Sequence, residues 1–244
     1  MDNNRVCTLN DDELARYARH LALPQVGVDG QMRLSEAKVL VVGAGGLGSP
    51  VAYYLVAGGV GTVGIIDGDV VDRSNLQRQI LHSTPDLGRP KVESAAEKLR
   101  ALNPNVKVET FRMLLDGDNA RDLFARYDFI VDATDSLEVK FLINDICVEL
   151  GKPFSYGGIQ AFGGQTMTYV PGHTSCRDLF RGIDVGAVSR KSPEGPFGAI
   201  AGMLGTIQAA EAMKWILGIG ELLTDRLLRF DALTMRFVEI KVRS

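Results

Sequence analysis

Hydrophobic and polar positions recur along this chain with two different periods. Val39 to Val42 is an unbroken apolar run and reads as a short buried strand. Ser49 to Ala57 reads as a helix, and a second apolar run, Thr62 to Ile66, ends in Asp67. Pro90 reads as the first residue of a helix that continues to Leu102. Asn105 to Phe111 alternates as a strand, Asn119 to Arg126 follows as a helix, and Phe129 to Asp132 as another strand. Ser136 to Leu150 is helical, and strands follow at Pro153 to Tyr156 and Ala161 to Val170. Pro171 to Pro196 has no period and is rich in Gly, Ser, Arg and Lys; a loop this long is usually functional or mobile. Gly198 to Leu217 reads as a helix whose Gly198, Gly202 and Gly205 point to close backbone packing. Arg226 to Ala232 and Phe237 to Val242 form a final strand pair.

At the other end, Asn10 starts a helix, and Glu13 completes a capping box with it. Leu14, Tyr17, Ala18 and Leu21 share one face of that helix, with Arg16, Arg19 and His20 on the other; by pattern alone those arginines read as a solvated face. Pro24 ends the helix, and a short amphipathic segment, Gln31 to Ala37, leads into the first strand. Strand and helix alternate through the first 150 residues, which implies a parallel, doubly wound α/β sheet. The later strands lie close together and are expected to extend it in antiparallel fashion. No linker or repeat divides residues 1–244, which are expected to form a single domain.

The stretch after the first strand carries the first chemical signal. Gly43, Gly45 and Gly48 have G-x-G-x-x-G spacing, with Gly46 in addition. In a strand–turn–helix, Gly43 permits the tight turn, Gly45 lets backbone approach a phosphate, and Gly48 lets helix and strand pack closely. The helix N-terminus then offers free N–H groups and partial positive charge to an anion. Asp67 follows about 20 residues later, where an acid meets ribose hydroxyls in a Rossmann-like nucleotide fold. Beyond it come Asp69, Asp72, Arg73, Ser74, Asn75 and Arg78, just past a strand end, where ligands sit in open α/β sheets. The plainer reading of Asp72 and Arg73 is a solvated loop. Lys91 falls in the first turn of a helix, an unfavourable place for a cation unless an anion is near; an exposed lysine there costs only a few tenths of a kcal/mol, roughly. Asp135 lies past another strand end, on the same rim.

Composition narrows the classes. Of 244 residues, 45% are apolar and 23% charged, as in ordinary soluble globular chains, and the net charge of −3 argues against an extended nucleic-acid surface. Cys7, Cys147 and Cys176 are scattered and odd in number, which implies neither a disulfide framework nor a complete zinc site. Met1 to His20 has no apolar core of a signal peptide. Gln208, Glu211 and Lys214 interrupt Gly198 to Leu217, so it reads as a buried helix and not a membrane span. The expected address is the cytoplasm.

Taken together, the rim offers an anion turn, a ribose acid, two cations and a lone carboxylate. NAD needs no metal and only partial neutralisation of its pyrophosphate. A triphosphate wants fixed cations and a magnesium ion held by a carboxylate, a task that fits Asp135. No Walker A lysine or kinase signature is present, which leaves attack at the α-phosphate, with Arg78 and Lys91 stabilising the developing charge.

The runs Gly-Ala-Gly-Gly-Leu-Gly at 43–48, Ser-Asn-Leu-Gln-Arg-Gln at 74–79, Gly-Arg-Pro-Lys at 88–91 and Ala-Thr-Asp at 133–135 resemble the ubiquitin-activating superfamily. Within it the chain is similar, over nearly its whole length, to the bacterial MoeB/ThiF-type adenylyltransferases. The resemblance implies that ATP and magnesium adenylate the C-terminal glycine carboxylate of a small ubiquitin-like sulfur carrier of molybdopterin or thiamine synthesis. It implies Asp67 on ribose, Asn75, Arg78 and Lys91 on phosphates, Asp135 on magnesium and Gly46 against the nucleotide. Asp69, Ser74 and Ser136 join the nucleotide site, with Ser136 standing where relatives commonly carry Asn. It also implies a homodimer in which Arg19 reaches the ATP of the other subunit, against the solvated reading.

Two departures matter. Relatives often bind zinc through paired Cys-x-x-Cys motifs; here Cys176 is followed by Leu179 in place of a partner, so zinc is not expected. A reactive cysteine of many relatives aligns with Lys191, and Arg190 to Pro196 contains none. The expected enzyme therefore stops at the acyl-adenylate and hands it to a separate sulfur donor. Cys147 is expected in the core, and Cys176, beside Arg177, is the one candidate for a displaced nucleophile. Two other readings stay open: an NAD-dependent oxidoreductase, which leaves Arg78, Lys91 and Asp135 without a joint role, and a non-catalytic, partner-binding relative.

Overall fold

The computed structural model describes residues 9–181 and 195–242. Cys7, Arg190 and Lys191 lie outside the described residues. Three short helices, α1 (Asp11–Arg16), α2 (Ala18–Leu21) and α3 (Gly27–Glu36), precede the sheet. Then come β1 (Lys38–Val42), α4 (Gly48–Ala57), β2 (Thr62–Ile66), α5 (Lys91–Leu102), β3 (Lys107–Phe111), α6 (Ala120–Ala125), β4 (Phe129–Asp132) and α7 (Leu137–Leu150). The chain continues with β5 (Phe154–Gln160), β6 (Gly163–Tyr169), α8 (Gly198–Leu217), β7 (Arg226–Asp231) and β8 (Arg236–Lys241).

The eight strands form one sheet in the order β3-β2-β1-β4-β5-β6-β7-β8. β3 to β5 pair in parallel, and β6 to β8 are added antiparallel, as the clustering of the late strands implies. The reversal of strand order falls between β1 and β4, the place where open α/β sheets bind ligands. Alternate residues of each central strand go to opposite faces. Val39, Val41, Val63, Ile65, Phe129 and Val131 pack under α4, α5 and α8. Leu40, Val42, Ile66 and Ile130 pack under α6 and α7. Burial on both faces explains the continuous apolar runs that mark these strands.

Several boundaries differ from the sequence reading. The first helix is broken at Tyr17, whose φ of −96° and ψ of 11° leave helical geometry. Its ring is buried, and its hydroxyl accepts a hydrogen bond from Asn103 Nδ2 at 2.8 Å. The Asn10–Glu13 capping box is present, but of the expected apolar face only Tyr17 is buried, while Leu14 and Ala18 stay exposed. Pro90 is the residue before α5 and not its first, because a ψ of 132° and a bridge to Val70 hold it extended. β5 runs on to Gln160, since β6 pairs with it along its whole length.

Candidate active site

Val42 lies level with Ile66 on one side and Asp132 on the other. Gly43, Asp67 and Ala133 therefore leave the sheet together and make one rim. Gly43 has a φ of +103°, and a Cβ there would lie 2.8 Å from the Ala133 carbonyl oxygen. A Cβ on Gly48 would lie 1.9 Å from the Gly43 carbonyl oxygen, so the first turn of α4 closes against the strand only with glycine. At Gly46 the corresponding space is taken by Ala201 of α8 and the stem of Arg78. This packs the glycine turn between α8 and the Arg78 segment.

The carboxylate of Asp67 is held by backbone donors. Its Oδ2 accepts from Ala44 N and its Oδ1 from Asp69 N, both at 2.8 Å. Lys91 is buried, with its Nζ 2.8 Å from Asp69 Oδ2 and 3.9 Å from Asp67 Oδ2. That overturns the exposed-lysine alternative: a cation in the first turn of α5 is tolerated because two carboxylates face it. Arg78 Nη2 donates to Asn75 Oδ1 at 3.0 Å, which joins the two polar residues of that run. The N–H and hydroxyl of Ser74 both donate to Asp72 Oδ1, and these bonds lower the Asp72 pKa.

Asp135 is exposed in the turn between β4 and α7. Ser136 caps α7, its hydroxyl accepting from Val139 N at 3.4 Å and donating to Glu138 Oε2 at 2.7 Å. Among the described residues no group of three or more His, Cys, Asp and Glu is arranged to hold a metal. One exposed carboxylate beside an anion turn suits magnesium, which proteins hold through one or two carboxylates while phosphates and water fill the remaining positions.

The structure does not bring Arg19 to this rim. Arg16 Nη1 donates to the Leu102 carbonyl at the far end of α5, so it braces a helix terminus. Lys91 begins α5 at the rim, and a 12-residue helix is about 18 Å long. Arg19, exposed on α2, lies with Arg16 at the opposite end of the sheet.

The cysteines are corrected in part. Cys147 is buried in the core, as expected, and burial pushes its thiol well up. Cys176 is buried too, and burial, with the nearby Asp132 charge, pushes its pKa up to about 12. A thiol nucleophile needs access and a lowered pKa, and Cys176 has neither.

Sequence reasoning missed four polar residues behind the rim. Gln79 is buried against Gly45, and its Oε1 has no partner among the described residues. His82 is buried, with Nε2 2.8 Å from the Ala44 carbonyl and Nδ1 3.0 Å from Ser94 Oγ. A carbonyl only accepts, so Nε2 carries the proton and Nδ1 accepts from Ser94. Burial pushes the His82 pKa down, and the charges of Lys98 and Lys91 add to the shift. The unfolded chain takes up a proton here below about pH 6.5 while the folded chain does not, so stability falls as pH drops through that value, by up to about 1.4 kcal/mol per pH unit. Urea denaturation from pH 7 to 5 should show this slope in the wild type and a shallower one in His82→Gln. Asp132 and Lys140 form a buried pair at 3.0 Å beneath the Asp135 turn. A lysine within the apolar stripe Lys140, Ile143 and Cys147 was the available signal.

A model of the family described as ThiF matches residues 17–244. The chain belongs to the ThiF family. It is 45% identical over 241 residues to the probable adenylyltransferase/sulfurtransferase MoeZ of Mycobacterium tuberculosis, covering 96% of this chain but 62% of MoeZ. It is 44% identical over 239 residues to the sulfur carrier protein adenylyltransferase of Thermus thermophilus, covering 95% of this chain and 88% of that protein. In fold it is similar to the crystal structure of E. coli MccB with ATP, with a TM-score of 0.83 at 24% identity, covering 96% of this chain and 73% of MccB. This ThiF-family chain thus has the architecture and the motifs that the sequence reading expects. Among the described residues no helix is long and apolar enough to cross a membrane.

Proposed function

We propose that this chain adenylates the C-terminal glycine carboxylate of a ubiquitin-like sulfur-carrier protein with a Gly-Gly end, using ATP and magnesium and releasing pyrophosphate. The carrier serves sulfur transfer of the molybdopterin or thiamine type. The observation that carries the proposal is the rim itself: Lys91 held beside Asp67 and Asp69, next to the glycine turn and the Asn75–Arg78 pair. A cation so placed serves a triphosphate, and the oxidoreductase reading gives it no work. The names of the relatives from Mycobacterium tuberculosis and Thermus thermophilus support the same reaction.

In this reading the carrier's carboxylate oxygen attacks the α-phosphorus, and the bond to the bridging oxygen of pyrophosphate breaks. Backbone at Gly43, Gly45, Gly46 and Gly48 cradles the nucleotide, Asp67 accepts from ribose, and Asp69, Ser74 and Ser136 line the site. Asn75, Arg78 and Lys91 hold the phosphates, and the two cations offset charge that grows in the displacement. Asp135 would hold magnesium, which neutralises phosphate charge when bound. Arg19 comes from the second subunit of a homodimer, an arrangement supported by its distance from its own rim. A cleft of about 580 Å³ lined by Gly158, Gly163, Gln165 and Arg229 lies along β5, β6 and β7, at the carboxyl end of β5. The carrier's extended tail would enter there. Residues 1–244 act as one ATP-binding adenylation domain in the cytoplasm, without zinc, nucleic acid or membrane. Both described cysteines are buried, which supports transfer of the acyl group to a separate sulfur donor.

Incubation with Gly-Gly-ended carriers and magnesium–ATP should yield a carrier acyl-adenylate, read by intact mass, together with ATP–pyrophosphate exchange. Exchange at background with every such carrier, or reduction of a nicotinamide cofactor by the same protein, would sink the proposal.

A further inference from the structure

Lys140 has no part in the reaction as drawn, yet its environment is unusual for a lysine. It lies on α7 and is 7% exposed. Its Nζ reaches three segments: Asp132 Oδ1 and Oδ2 at 3.2 and 3.0 Å, the Thr134 carbonyl at 2.8 Å, and the Gly157 carbonyl on β5 at 2.5 Å. Three N–H donors are thus matched by three acceptor groups. Asp132, itself fully buried, accepts from Thr134 N at 3.1 Å and from Thr134 Oγ1 at 2.7 Å. Gln208 Nε2 donates to the Asp132 carbonyl at 2.9 Å. Thr134 is therefore tied at its N–H, its hydroxyl and its carbonyl, and the next residue is Asp135.

Stability alone is a weak reason for such a pair, because buried ion pairs are often replaceable by apolar residues at no loss. What this one does is pin a turn of polar backbone at the rim. A metal-binding carboxylate works best when a supporting shell sets its backbone and rotamer beforehand. We infer that Lys140 is a positioning residue, which fixes, through Asp132 and Thr134, the turn from which Asp135 meets the magnesium of bound ATP. The inference rests on the proposed role of Asp135 and adds to it a determinant buried behind the site.

Lys140→Met alone strands the Asp132 charge, so the test uses the pair Asp132→Asn with Lys140→Met. The pair removes both charges and keeps an acceptor for Thr134. Thr134→Val, at a partly exposed position, removes only the hydroxyl bond, and Lys140→Arg keeps the cation. Asp135→Ala is measured in parallel by calorimetry. The readouts are ATP affinity by calorimetry with magnesium and with EDTA, and the magnesium concentration that half-saturates pyrophosphate exchange. The pair variant should need about 10-fold more magnesium, in line with the effect of removing a supporting partner of a metal ligand. Its ATP affinity in EDTA should stay at the wild-type value. Thr134→Val should shift the same way by less, and Lys140→Arg should restore most of the loss. Equal losses with and without magnesium would make Lys140 a purely structural residue and overturn the inference. So would a wild-type magnesium requirement in the pair variant and Thr134→Val while Asp135→Ala loses the gain in ATP affinity on adding magnesium; the role of Asp135 would then stand. If Asp135→Ala keeps the wild-type gain in ATP affinity on adding magnesium, the reading of Asp135 falls and the inference with it.

Discussion

Lys91→Ala is expected to slow ATP–pyrophosphate exchange by about 100-fold or more, about 2.7 kcal/mol of lost transition-state stabilisation. The size follows from where the cation sits. Lys91 is buried, so its field is little screened by water, and Asp69 and Asp67 hold its Nζ at the rim before substrate arrives. A preorganised charge of this kind acts most where negative charge grows during the displacement. The loss should therefore appear in kcat more than in the KM for ATP. Loss of the fold is not expected, because Asp67 keeps its two backbone donors and Asp69 is largely exposed; thermal unfolding of the variant checks this. Unchanged exchange in folded Lys91→Ala would remove Lys91 from the site.

The second large effect is recovery and not loss. Arg19→Ala and Asp135→Ala should each be inactive as pure proteins. Equal mixing with subunit exchange should restore up to about a quarter of wild-type activity, since half of the dimers are mixed and each holds one intact site. The physical ground is the length of α5, which separates the α1–α2 end of the sheet from the rim by about 18 Å. An arginine side chain cannot bridge that distance within its own chain. Subunit exchange can be followed with a tag on one variant. Mixed dimers without activity would mean that Arg19 acts elsewhere or not at all.

Much of the fold was legible because its signals are local. Val39 to Val42, Thr62 to Ile66 and Phe129 to Asp132 are buried on both faces, and such strands announce themselves as apolar runs. The helix boundary at Pro90 moved by one residue because its extended backbone depends on a bridge to Val70, which a window on the sequence does not contain. The break at Tyr17 has the same origin, since the partner of its hydroxyl is Asn103. The exposed Leu14 and Ala18 show that helical periodicity names a face without saying what covers it.

By itself, the sequence determined the order of the strands and the glycine turn, and it offered Asp67, Asn75, Arg78, Lys91 and Asp135 as candidates for one rim. These follow from side-chain period, from the stereochemistry of glycine and from motif spacing, all of which are properties of neighbours in the chain. Only the tertiary structure decided the electrostatic state of those groups and which others support them. Lys91 is paired with Asp69, 22 positions away, His82 props the Ala44 carbonyl from 38 away, and Lys140 reaches Gly157 from 17 away. The same holds for Cys176, whose neighbouring arginine reads as activation until burial raises its pKa. Charge, access and orientation depend on which distant residues share a small volume, and that is set by how the helices pack on the sheet.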